Sequence, residues 1–119
     1  MSLIFVYGTL KSGHSLNCLL NECRYVGEAK TKPSYLMHSM GKYPAMVEAQ
    51  DGMEIEGEVW EVLPKALSCM DVVEGVDLGF FVRQSVNLQP PFDMQIVEAY
   101  VFADSVTGFP VCGTCWTDW

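Results

Sequence analysis

The chain predicts an α+β fold, a reading that rests on three observations. Seven short runs are rich in β-branched and aromatic residues, only two segments have helical character, and no internal repeat or low-complexity tract is present. Closing so many short strands into a small mixed β-barrel flanked by two short helices would hide their edges. Taken in order, the run from Leu3 to Tyr7 predicts a first strand that stops abruptly at Tyr7-Gly8-Thr9. Residues 16–23 predict a short helix, and residues 25–29, 32–37 and 45–48 predict three further strands. "IEGEVWEV" (55–62) alternates Ile55, Gly57, Val59 and Glu61 against Glu56, Glu58, Trp60 and Val62. The acidic face, which also carries Trp60, is expected to reach solvent or a cleft while the other packs. Residues 64–73 predict the better helix, with Pro64 in its first turn and Leu67 and Met70 three positions apart, and Gly75 supplies its stop. Residues 80–88 and 95–102 predict the last strands, joined by a loop at Pro90-Pro91.

Length and charge narrow the function. With 119 residues, half of them hydrophobic, the chain can bury one core, so a single domain over residues 1–119 is expected. A net charge of -8 and only seven Lys plus Arg repel phosphate and exclude nucleic acid as a partner. The opening "MSLIFVYGTL" has no basic leader, its apolar run breaks at Gly8, and nothing later approaches the ~20 apolar residues of a membrane span. An unsecreted, cytoplasmic protein with no membrane partner is expected. Five irregularly spaced cysteines fit reduced thiols better than a disulfide framework. "VCGTC" (111–115) contains a CxxC pair, but Cys18, Cys23, Cys69, His14 and His38 supply no second tight pair, so no metal is expected.

Two stretches carry candidate chemistry. A strand running into Gly8-Thr9 leaves successive backbone N–H groups unpaired, which makes either an ordinary turn or a concave site for an anion. Glu74 falls at the end of the second predicted helix, among Val72, Val73, Val76, Phe80 and Phe81. The helix C-terminus and apolar neighbours both disfavour the ionised carboxylate, so Glu74 is either a solvated helix-end residue or a proton-transfer group tuned towards neutrality. Arg83 suits a substrate carboxylate and an exposed strand equally and is left out of the site. Trp116 and Trp119, close to the end of the sequence, suit a clasp over the sheet or an interface with a second copy, so the oligomeric state stays open.

"FVYGTLKSG" (5–13), "GKYPAMV" (41–47), "IEGEVWEV" and "DVVEG…FVR" together resemble, in this order, the γ-glutamylcyclotransferase-like family, including its γ-glutamylamine cyclotransferase and avirulence-induced-protein branch. The resemblance spans most of the chain. It implies a small β-barrel with a cavity between a Tyr-Gly-Thr-Leu loop, matched by Tyr7, Gly8, Thr9 and Leu10, and an acid/base residue, matched by Glu74. It further implies a small γ-glutamyl substrate, whose α-amine attacks its own γ-carbonyl to release 5-oxoproline and an amine, with no metal or organic cofactor. One departure stands out: many relatives carry a tyrosine shortly before the arginine after the acidic residue, whereas here Phe80 and Phe81 precede Val82-Arg83. The alternative function is a non-catalytic module using the same cavity to bind a small anion or a partner.

Overall fold

A computed structural model describes residues 2–14 and 16–117. Its strands are β1 (Ser2–Val6), β2 (Arg24–Lys30), β3 (Tyr35–Ser39), β4 (Pro44–Glu48), β5 (Glu56–Val62), β6 (Phe81–Ser85) and β7 (Glu98–Phe102), with one α-helix, α1 (Pro64–Val73). Five strands form a sheet in the order β2-β5-β1-β7-β6, and β3 and β4 form a separate hairpin. β1 lies in the middle, antiparallel to β5 from Ser2↔Val62 to Val6↔Glu58 and parallel to β7 at Ile4↔Glu98. This position explains why its run does not alternate with polar residues. Phe5 and Tyr7 enter one buried cluster with Met37, Met46 and Val59, while Ile4 and Val6 enter another with Leu20, Met70 and Phe81. A strand covered on both faces has no solvent side to encode.

The mixed α+β content is as expected, but the barrel is not closed by strand pairing among the described residues. Beyond β2 the chain meets the segment after β6 at a single bridge, Thr31↔Leu88. Pro33 on one side and Pro90-Pro91 on the other offer no N–H donors, so a longer ladder cannot continue there. β6 ends at Ser85 and β3 starts at Tyr35. The flanking helices also differ from expectation. Residues 16–23 hold only a short 3-10 turn over Asn17–Leu20. The Leu16 N–H is bonded to the Thr9 carbonyl (2.8 Å) and the Asn17 side chain to the Leu10 carbonyl (2.8 Å), ties that compete with an α-helical start, and β2 begins at Arg24. In contrast, α1 forms where its pattern predicts, with Pro64 opening it and Met70 buried beneath.

The acidic face of β5 is only partly open. Trp60 is buried, covered edge-on by Tyr25 at 5.4 Å, and its indole N–H donates to Glu58 (3.1 Å), which also accepts from the Ser12 N–H (2.8 Å). His14 lies in a loop and His38 on β3. The final stretch straps the fold together: Ser39 N–H donates to Pro110 O (2.8 Å), Glu56 N–H to Thr114 O (2.8 Å), and the buried Lys11 ammonium to Trp116 O (2.8 Å). Trp116 is buried in this clasp, whereas Trp119 lies outside the described residues. All five cysteines are free thiols. Among the described residues, no group of three His, Cys, Asp or Glu side chains converges, and no helix is long and apolar enough to cross a membrane.

Candidate active site

The abrupt end of β1 builds one wall of a cleft. Its last pair with β5 is Val6↔Glu58, after which the chain bends past the start of β4. Gly8 is required at the bend because a Cβ there would lie 2.7 Å from Pro44 Cγ, well inside van der Waals contact. The absent side chain thus makes room for the neighbouring proline. Beyond it, every carbonyl of the loop is engaged: Gly8 O accepts from Lys11 N–H (3.1 Å), Thr9 O from Leu16 N–H and Leu10 O from Asn17. The N–H groups of Gly8, Thr9 and Leu10, however, donate to no acceptor among the described residues. A half-buried loop with satisfied carbonyls and three consecutive unsatisfied amides is suited to an anionic oxygen.

Tyr7 joins this wall but commits its hydroxyl elsewhere. The phenol donates to the Tyr100 carbonyl and accepts from Met46 N–H (3.2 Å), pinning β1 to β7 and β4. Burial, reinforced by the charge of Glu74, pushes its pKa far above the ordinary phenol value. Tyr7 therefore stays a neutral, buried brace.

Glu74 faces the same cleft from the end of α1. Its N–H still bonds to Met70 O (2.9 Å), and the next residue, Gly75, turns the chain with φ 68°, a left-handed conformation that favours glycine. A Cβ on Gly75 would also strike the Phe80 ring at 2.6 Å. The carboxyl group accepts no hydrogen bond from any described residue. Burial alone raises its pKa from 4.5 to about 7. The source of that burial differs in part from expectation: Val72 points to solvent at 73% exposure, and the cleft's Phe5, Val6, Leu10 and Tyr100 surround the acid.

Tyr7, Gly8, Thr9, Leu10 and Glu74, separated by more than sixty positions in the chain, therefore line one cleft together with Tyr43, Pro44 and Tyr100. The last three were not singled out from the sequence. Tyr43 and Pro44 lie within the quoted "GKYPAMV" stretch, whereas Tyr100 is one apolar position among several in "EAYVF". Its hydroxyl donates to Asp71 (2.6 Å), and Asp71 also pairs with Arg83 (3.2 Å), which reaches Glu98 (3.2 Å). Arg83 thus braces α1 against β6 and β7. At the place where many relatives carry a tyrosine, Phe81 is buried edge-on against Phe102 at 5.2 Å and Phe80 is half exposed. Besides Tyr7, the phenols at this cleft are Tyr100 from β7 and Tyr43 from the turn before β4.

The fold and sequence both have known counterparts. The sequence profile of the family described as "Gamma-glutamyl cyclotransferase, AIG2-like" matches residues 4–117. A Vibrio cholerae protein named "Putative gamma-glutamylcyclotransferase" is 36% identical over 98 residues, 82% of this chain and 81% of its own. A Methanocaldococcus jannaschii protein of the same description is 37% identical over 89 residues, covering 74% of this chain and 72% of the relative. The crystal structure of an AIG2-like protein from Mus musculus superposes with a TM-score of 0.80 over 94% of this chain and 86% of that one, at 24% identity, a likeness of fold. The chain belongs to the γ-glutamyl cyclotransferase, AIG2-like family.

Proposed function

We propose that this protein is a γ-glutamylcyclotransferase that releases 5-oxoproline from a γ-glutamyl amine or isopeptide, with Glu74 as its general acid/base. The observation that carries the reading is the pairing, across one cleft, of three unsatisfied amides with a carboxyl group whose pKa is lifted to about 7. Ring closure is unimolecular, so the protein's tasks are to hold the substrate folded back on itself, move protons and stabilise negative oxygen. Ionised Glu74 takes a proton from the α-ammonium, and the freed amine attacks the γ-carbonyl carbon. The C–N bond to the leaving group breaks as protonated Glu74 returns that proton to the departing nitrogen. The ring nitrogen, which still carries a second proton from the original ammonium, passes it through the again-ionised Glu74 to the released amine, leaving neutral lactam and an ammonium. A carboxyl group poised near neutrality suits both halves of this exchange. The amides of Gly8, Thr9 and Leu10 hold the anionic oxygens of the substrate, each donor contributing about 3 kcal/mol where charge develops in the transition state. This division of labour asks for no metal or cofactor. The free thiols support a reducing, cytoplasmic setting for the reaction.

The test is chromatographic detection of 5-oxoproline from a panel of γ-glutamyl compounds, using the wild-type chain and Glu74→Gln. Release by wild type and its loss in a folded Glu74→Gln variant supports the reading. Retained turnover in that variant removes Glu74 from the mechanism, and binding without release across the panel makes the chain a binding module.

A further inference from the structure

The cleft does not end at Glu74. Thr9, Tyr43 and Glu74 also form the shared border of a second depression of about 320 Å³, whose far side is made by Leu16, Lys42, Val73 and Phe80. Two properties set it apart from ordinary surface. Val73, Phe80 and Tyr43 are 49%, 53% and 42% exposed, so three large apolar side chains stand in water around one hollow beside the candidate catalytic carboxyl. Lys42 supplies the hollow's only positive charge and makes no ion pair among the described residues, in a chain of net charge -8 with seven basic residues.

Resting on the cyclotransferase reading, we infer that this second hollow receives the leaving group, and that the leaving group is an α-amino acid with a large apolar side chain. A γ-glutamyl bond held at Glu74 straddles the border between the hollows. Its glutamyl half lies by the Gly8–Leu10 amides and its nitrogen half lies in the second depression. There the apolar side chain covers Val73 and Phe80, and the free α-carboxylate, the one charge such a leaving group carries, meets the Lys42 ammonium. An amine lacking the carboxylate forgoes that pairing. A lysine joined through its ε-nitrogen places an ammonium as well as a carboxylate near Lys42 and offers the wall only its narrow methylene stem.

The experiment compares γ-glutamylphenylalanine, γ-glutamylphenethylamide, which lacks only the carboxylate, γ-glutamylalanine, which lacks the ring, and Nε-(γ-glutamyl)lysine. Each is tested for kcat/KM with wild type and Lys42→Met, and for Kd by calorimetry in the Glu74→Gln background, where turnover is not needed. γ-Glutamylphenylalanine is expected to lead, by about fivefold over the phenethylamide, the scale of an exposed ion pair, and by about tenfold over γ-glutamylalanine. The fivefold advantage disappears in Lys42→Met. An advantage that survives Lys42→Met, a ring that brings no gain, or a preference for the isopeptide overturns the subsite. Absence of 5-oxoproline with the same order of Kd values overturns the cyclotransferase reading and leaves the subsite standing.

Discussion

Replacing Glu74 with glutamine should make the protein more stable while making it inactive. Burial raises the carboxyl pKa from 4.5 to about 7 with no compensating partner among the described residues, so the ionised side chain is held at a cost in the folded state. Between those two values the folded chain binds the proton more tightly than the unfolded chain, and unfolding free energy therefore falls as pH rises. The stabilisation is whole below about pH 4.5 and is lost as pH climbs through about 7. At about 1.4 kcal/mol per pH unit, the displacement amounts to about 3 kcal/mol at alkaline pH. Glutamine is nearly isosteric and neutral throughout, so the variant escapes the penalty. With about 4 °C per kcal/mol for a chain of this size, Glu74→Gln melts up to about 12 °C above wild type at pH 8.5 and within about 2 °C of it at pH 4.5. Calorimetric or circular-dichroism melts at both pH values read this directly. Equal melting temperatures at pH 8.5, or a gap that fails to narrow towards acid, would refute the claim that an unpaired, desolvated carboxylate sits at position 74. In the role proposed for it Glu74 acts as the base when ionised, so wild-type kcat/KM is expected to rise through about pH 7; a pH–rate profile flat across that range would remove it from that role.

Gly8→Ala drives a methyl into Pro44 and is expected to lower stability by about 1–3 kcal/mol in urea titrations. Adding Pro44→Ala recovers part of that loss, and a strictly additive double variant would contradict the close approach. Tyr7→Phe removes the bond to the Tyr100 carbonyl and orphans the Met46 N–H, at a cost of about 1–3 kcal/mol, again read from urea midpoints; an unchanged midpoint would show that the phenol is not a brace. Cys112→Ala with Cys115→Ala, or prolonged treatment with a chelator, should leave 5-oxoproline release within about twofold of wild type, since these thiols meet Met37 O and the Lys11 ammonium instead of converging on a metal. A large loss on chelation would reveal a metal dependence.

Much of this molecule is a local matter. The run Leu3 to Tyr7, the alternation through 55–62, and Pro64 with Gly75 bracketing a helix state their own conformations, because propensity, periodicity and chain-terminating residues act within a few positions. The unclosed sheet and the missing second helix were harder to read. Whether a ladder continues depends on what flanks the Thr31↔Leu88 bridge, with Pro33 on one segment and Pro90-Pro91 on the other, and residues 16–23 lost their helix to carbonyls of a loop several residues earlier.

The same division holds at the site. From the sequence alone came the two ends of the proposal: a loop at Tyr7-Gly8-Thr9-Leu10 with amides to spare, and an acid at a helix terminus. Only the tertiary structure decided that they share a cleft, that Pro44 is the reason for Gly8, that the Tyr7 hydroxyl is already spoken for by backbone, and that Val72 does not shield Glu74. Backbone donors are a property of a few adjacent residues. Desolvation, which lifts the Glu74 pKa, is a property of everything that surrounds a group, and in this fold those surroundings arrive from β1, the turn before β4, and β7.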